Sequence, residues 1–209
     1  MSRVLLATRN RKKLAELQRM LGDSVQVLGL GDVPAFDEQP ETGATFEENA
    51  IAKAEQAARA TGEIALADDS GLAVDALNGM PGVLSARWSG RHGDDAANNA
   101  LLLAQIADVP TERRGAAFVC ALALATPGRS PSVVRGEWRG RIGQNPVGAN
   151  GFGYDPLFVP AESEAPGGDG RSAAELTPLE KDGLSHRGRA IRLMLPRLRL
   201  RFQLLDDRQ

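Results

Sequence analysis

A single cysteine, Cys120, in 209 residues excludes an internal disulfide framework. It lies in the apolar run Phe118-Val119-Cys120-Ala121-Leu122, where a small core residue is expected rather than a nucleophile. No apolar stretch approaches the length that crosses a bilayer. Val4-Leu5-Leu6-Ala7, ending just before Thr8 and Arg9, is too short for a signal peptide. A cytoplasmic protein with no membrane partner is the expectation. Aromatics are scarce at 4% and the net charge is −2, which argues against a dedicated nucleic-acid binder. Of the two histidines, His92 has no neighbour at metal-ligand spacing. There are no repeats and no low-complexity tracts.

What is present is enough apolar material, 42% of the chain, for a sizeable core. The length suits a single domain over 1–209, with room for two lobes. Charge is unevenly spread. Six acids and no bases lie between Asp32 and Glu48, while six arginines and no acids lie between His186 and Leu205. Such asymmetry permits a metal site in one region and an anion site in another.

Hydrophobic periodicity gives the outline. Arg3 to Thr8 reads as a buried strand, Arg11 to Leu21 as a helix with Leu14, Leu17 and Leu21 on one face, and Val25 to Leu28 as a second strand. Gly29 to Gly43 reads as an acidic loop. Thr45 and Glu48 form a capping-box pattern opening a helix through about Ala60. Ile64 to Ala67 reads as a strand ending at Asp68. Asp94 or Asp95 caps a helix to Ile106, and Gly115–Ala125 with Val133–Ile142 make an antiparallel pair across residues 127–131. Leu157 to Val159 reads as a short strand and 161–171 as a mobile surface loop. A final helix starts near Ser185, with Pro196 expected to kink or divide it. The alternation predicts an α/β protein with a mixed sheet.

Three constellations carry chemistry. Ala67-Asp68-Asp69-Ser70-Gly71 puts two carboxylates where a strand meets a Ser-Gly turn. Alternate side chains on a strand face opposite ways, so one acid can enter a cleft while the other braces the turn. A carboxylate so placed suits Mg²⁺, which prefers oxygen ligands and brings substrate phosphates with it. Taken alone, the same residues read more readily as a solvated turn, and their companions decide. Thr8-Arg9-Asn10-Arg11-Lys12-Lys13 places donors and a compact charge where a helix begins, a site that favours anions, though the glycines of a Walker loop are missing. Phe152-Gly153-Tyr154-Asp155 offers aromatic surface on a permissive backbone, as for stacking on a purine.

In order along the chain, these blocks resemble the inosine triphosphate pyrophosphatase family. The likeness begins with Thr8, Asn10 and Lys13 and continues through Glu41-Thr42-Gly43, Thr45 to Ala50, Lys53-Ala54 and Ala67 to Leu72. Pro81-Gly82, Ser85-Ala86-Arg87, Gly151 to Pro156, Lys181 and Ser185-His186-Arg187 complete it. The resemblance implies a two-lobed α/β fold with a long central mixed sheet flanked by helices and a nucleotide cleft between the lobes. It implies a homodimer that hydrolyses ITP, dITP or XTP to the monophosphate and pyrophosphate, with Mg²⁺ required.

Residue roles follow from the same resemblance. Glu41 and Asp69 would hold Mg²⁺, and Asp69 would accept the proton of the attacking water, with Asp68 assisting. The segment Thr8, Arg9, Asn10, Arg11, Lys12 and Lys13, together with Lys53 and Ser70, would bind the triphosphate. Phe152, Gly153, Tyr154 and Asp155, with Lys181, His186 and Arg187, would form the base pocket. Two features depart from the family pattern: Arg9 stands where a small residue is usual, and the Glu162 to Ser172 loop is rich in glycine and acids. Two rival readings remain, a phosphatase releasing orthophosphate and a non-catalytic nucleotide- or RNA-binding module.

Overall fold

The computed structural model describes residues 2–206. Strand β1 (Ser2–Leu6) leads through helix α1 (Arg11–Leu21) to β2 (Val25–Leu28), and helix α2 (Phe46–Thr61) leads to β3 (Ala65–Val74). Both connections are strand–helix–strand crossovers, so β1 pairs in parallel with β2 and with β3. Helix α3 (Asp95–Gln105) precedes the long strands β4 (Gly115–Thr126) and β5 (Arg129–Ile142). Only Pro127-Gly128 separates these strands, and Gly128 has a φ of 72°. A two-residue link of this kind requires an antiparallel pair. Strand β6 (Phe158–Pro160), antiparallel to β5, and helices α4 (Ala161–Glu164), α5 (Pro178–Leu184) and α6 (His186–Asp206) complete the chain. The strands form one six-stranded mixed sheet in the order β2-β1-β3-β4-β5-β6. The α/β expectation is met.

The chain divides into two compact units. One takes the chain up to Asp69, Cys120–Gly136 and the chain from Arg187 onward; the other takes Ser70–Val119 and Glu137–His186. The first unit packs Val4, Leu6, Leu17, Ile64 and Leu66 against Cys120, Leu122, Leu124, Ile191, Met194 and Leu198. Cys120 is fully buried there, as its apolar neighbours predict. The second packs Leu72, Leu102, Phe118, Trp138, Tyr154, Leu157 and Phe158.

Local chemistry explains why helices start where they do. The Asn10 side chain accepts from the backbone of Lys12 and Lys13 and caps α1, and Thr45 accepts from Glu48 N–H to cap α2. The reciprocal arm of the second cap reaches one residue further than the standard box, because the Glu48 carboxylate accepts from Ala44 N–H at 2.7 Å.

Four expectations need correction. Strand β3 does not end at Asp68 but runs on through Asp69, Ser70 and Gly71 to Val74, nearly all of it buried. Residues 161–171 are not wholly irregular, since they include α4, where Trp138 Nε1 donates to Glu162 at 3.1 Å. Helix α5 lies where only a lead-in was expected, with Thr177 and Glu180 forming a full capping box and Pro178 at its start. Helix α6 passes through Pro196 undivided, with Met194 and Leu198 buried on either side.

Candidate active site

In the first unit, ionisable side chains gather on both sides of β3. Asp68 and Asp69 are consecutive in an extended strand, so they face opposite ways. Asp68 meets Lys13 Nζ from α1 at 2.9 Å and Arg187 Nη2 from the first turn of α6 at 3.1 Å. The other end of the Arg187 guanidinium reaches Glu16 at 2.7 Å. Burial alone would push the Asp68 carboxyl upward, but Lys13, Arg187 and the more distant Lys53 hold it well below the usual carboxylate range. Arg187 is shifted the other way, upward against its own burial, by Asp68 and Glu16.

Asp69 has different company. Its Oδ2 accepts from Asn49 Nδ2 at 3.0 Å, and its Oδ1 lies 3.4 Å from Lys53 Nζ; both partners belong to α2. Lys53 Nζ also meets Glu41 Oε1 at 2.9 Å, so one ammonium bridges the two acids. Here burial prevails. The Asp69 carboxyl is pushed upward by desolvation, Lys53 and Asn49 oppose that shift, and Glu41 and Asp68 reinforce it. Lys53 is raised despite burial by Asp69, Asp68 and Glu41.

A buried acid with two like-charged neighbours is poised to receive a cation. Among the described residues no group of three or more His, Cys, Asp or Glu side chains makes a metal cage. Two carboxylates without a third fit Mg²⁺ better than a metal that needs an all-protein shell, because Mg²⁺ keeps waters and takes phosphate oxygens. The pair Glu41 and Asp69 therefore fits a divalent cation bound together with an anionic substrate.

The loop ahead of α1 is only partly arranged as expected. Thr8 Oγ1 accepts from Asn10 N–H at 3.2 Å, and Asn10 Oδ1 accepts from Lys12 N–H at 2.9 Å and Lys13 N–H at 3.4 Å. The Lys12 and Lys13 backbone donors expected to meet an anion are thus capped by Asn10. Arg9 is exposed and pairs with Glu38, while Arg11 and Lys12 are exposed on the first turn.

The second unit holds the aromatic cluster. Asp155, almost fully buried, pairs with Lys181 and accepts from Phe152 N–H at 2.8 Å. Lys181 Nζ also lies 5.2 Å from the centroid of the Phe152 ring, a cation–π distance. Gly151 turns with φ 77°, and a Cβ there would fall on the Asp155 carboxylate. Gly153 is clamped by α3: its N–H donates to Asp95 at 2.7 Å and its carbonyl accepts from Asn99 at 3.0 Å. Tyr154 points inward, its hydroxyl donating to Ser85 O at 2.9 Å. His186 stacks on Phe118 with centroids 4.9 Å apart. Ser70, half-buried, follows Asp69 in β3.

Of the predicted set, the structure brings Glu41, Lys53 and Asp69 together, joins Lys13 and Arg187 at Asp68, and joins Lys181 to Phe152 and Asp155. The Arg187 guanidinium is held by Asp68 and Glu16 within the first unit, and Lys181 by Asp155 within the second. Sequence reasoning missed Glu16, Asp95 and Asn99, for which no local signal exists. Asn49 lies within the Thr45 to Ala50 block, and its four-residue spacing from Lys53 puts both on one face of α2.

Comparison with known proteins gives the family of the chain. The Ham1 family model matches residues 4–197. A dITP/XTP pyrophosphatase from Nocardia farcinica is 68% identical over 202 residues, covering 95% of each chain. A crystal structure of a nucleoside-triphosphatase, dITP/XTP pyrophosphatase, from Mycobacterium abscessus is 62% identical with a TM-score of 0.75, over 93% of this chain and 99% of that one. The structure of a HAM1 protein from Coxiella burnetii, 41% identical, aligns with a TM-score of 0.81 over 95% and 98% of the two chains. A match across nearly the whole length, in sequence and in fold, shows that this chain belongs to the Ham1 family.

Proposed function

We propose that this protein hydrolyses the deaminated purine nucleoside triphosphates dITP, XTP and ITP to the monophosphate and pyrophosphate, with Mg²⁺ as cofactor. The observation that carries the reading is the Glu41–Lys53–Asp69 cluster, two acids sharing one ammonium, in a member of a family whose relatives are named for this activity. Bound between Glu41 and Asp69, Mg²⁺ would neutralise triphosphate charge and polarise the phosphorus under attack. The chain's own groups do the rest. Asp69 takes the proton of a water whose oxygen attacks the α-phosphorus. The bond from that phosphorus to the bridging oxygen breaks, and pyrophosphate leaves with the bonding pair. Lys53 and Lys13 supply positive charge for the phosphate oxygens.

Base choice is assigned to the second unit. Lys181 holds Phe152 and Asp155 in one arrangement and still has donor capacity beyond its ion pair. A donor aimed at position 6 of a purine pairs with the keto oxygen of hypoxanthine or xanthine and is left unpaired by the amino group of adenine. Such unpaired polar groups discriminate strongly. A homodimer and a cytoplasmic setting belong to the same proposal and rest on the family resemblance; no helix among the described residues is long and apolar enough to cross a membrane.

Incubation with XTP or dITP and Mg²⁺ tests the reaction. Pyrophosphate and the monophosphate are expected; orthophosphate and the diphosphate would establish the phosphatase instead, and salt-sensitive RNA binding without turnover the binding module. Lys13→Ala is expected to raise KM for the triphosphate, since a charge-assisted hydrogen bond contributes about 1.5–3 kcal/mol, or about 10- to 150-fold. An unchanged KM would remove Lys13 from the triphosphate site.

A further inference from the structure

We propose that Asn49 is a positioning residue for the acidic cluster, its single side-chain amide coupling the orientation of Asp69 to the loop that carries Glu41. The inference rests on the pyrophosphatase reading above and adds to it a residue that touches neither substrate nor metal.

The geometry is specific. Asn49 Nδ2 donates to Asp69 Oδ2 at 3.0 Å, and Asn49 Oδ1 accepts from Gly43 N–H at 2.8 Å. The amide cannot be turned round without loss: an N–H can only donate and a carboxylate can only accept, so the flipped form sets donor against donor and oxygen against oxygen. Asn49 is 3% exposed and sits in the first turn of α2, its N–H bonded to Thr45 O, so the side chain stands on a fixed support.

Gly43 lies two residues after Glu41, and the approach there is tight. A Cβ at position 43 would come within 2.6 Å of Asn49 Oδ1, 2.8 Å of Glu48 Cβ and 3.0 Å of the Asn49 backbone nitrogen. Glycine at 43 is what lets the Glu41 loop reach the amide. With Oδ2 of Asp69 taken by Asn49, its Oδ1 is the atom turned toward Lys53, which in turn meets Glu41. One amide thus sets the distance between the two acids from both sides. Partners that orient metal-binding carboxylates typically matter 10- to 100-fold in metal affinity or activity.

The test uses three variants of the full chain, with XTP turnover, direct Mg²⁺ titration by calorimetry and thermal melting as readouts. Asn49→Asp keeps the shape and an acceptor for Gly43 but sets a carboxylate against Asp69. Asn49→Ala removes both arms. Gly43→Ala keeps Asn49 and displaces the loop from it. A fall in kcat of about 10- to 100-fold with KM little changed is expected for each. In the Ala variants the heat of Mg²⁺ binding should be weakened or lost as well. A purely structural role would lower the melting temperature and leave kcat of the folded protein intact. Wild-type kcat in folded Asn49→Asp, or wild-type Mg²⁺ binding in both Ala variants, overturns the proposal. Should Asn49→Ala fail to fold, Gly43→Ala and Asn49→Asp decide. If the wild-type protein itself releases no pyrophosphate, the functional reading fails, while calorimetry of Mg²⁺ still scores the positioning role.

Discussion

Asp69→Asn is expected to lower the rate of pyrophosphate release by about 10²- to 10⁴-fold, the usual range for losing a positioned proton acceptor. The change keeps the side-chain outline and an oxygen that still accepts from Asn49 Nδ2. What disappears is the charge that would grip a divalent cation beside Glu41 and the oxygen that would take the water's proton. Stability should move little or rise. The folded-state proton affinity of Asp69 is raised, so stability contributed by this group is present at low pH and is lost as pH rises through its folded pKa. At neutral pH the ionised acid is therefore a cost, accepted at a functional position, and the neutral amide relieves it. Steady-state kinetics with XTP and a melting curve at pH 7 measure both halves. Wild-type turnover in the variant would show that some other group does the chemistry. A large drop in melting temperature would show that Asp69 is a structural residue.

The elements most legible in sequence were those built on local chemistry. Asn10 and Thr45 cap α1 and α2 because their side-chain oxygens lie within reach of amides two or three residues ahead, and that is a fact of spacing. The extent of β3 was not legible. Asp, Ser and Gly are turn formers, and only burial along the strand together with ion pairs to α1, α2 and α6 keeps them extended. Helix α5 is marked by Thr177-Pro178 and Glu180, a cap with proline in the first turn, but its 7 residues are too few to show a hydrophobic period. Pro196 breaks the local rule for helix interiors, yet buried neighbours on both sides carry α6 through it.

The site divided in the same way. The family resemblance collected Glu41, Lys53 and Asp69, and the structure joins the three through the Lys53 ammonium. The partner of Arg187 was not legible, because 119 residues separate it from Asp68 and no periodicity spans such a gap. Nor did sequence divide the labour of the adjacent acids. That division follows from strand alternation once the partners are known: cations on one side of β3, an amide and a shared lysine on the other.

The acid on the first side should behave in the opposite sense to Asp69. Asp68 is 3% exposed on its side chain and is held by Lys13 and by Arg187, whose side chain is 7% exposed and also holds Glu16. Removing one partner of a buried ion pair strands the others, at a cost of about 3–5 kcal/mol. Asp68→Ala is accordingly expected to lower the melting temperature by about 6–20 °C for a chain of this size. Asp68→Asn, which keeps an acceptor, should fall in between. The pH dependence has a fixed sign. The folded-state pKa of Asp68 is depressed, because Lys13 and Arg187 outweigh burial. Its contribution is fully present above the unfolded pKa of about 4 and is lost as pH falls below that value. Melting curves from neutral pH downward should then show wild type and Asp68→Asn converging in acid and parting above about pH 4. Equal melting temperatures at neutral pH, or a gap that widens in acid, would mean that the Lys13–Asp68–Arg187–Glu16 chain does not hold the first unit together. Full stability with lost turnover in Asp68→Asn would transfer to Asp68 the chemistry assigned to its neighbour.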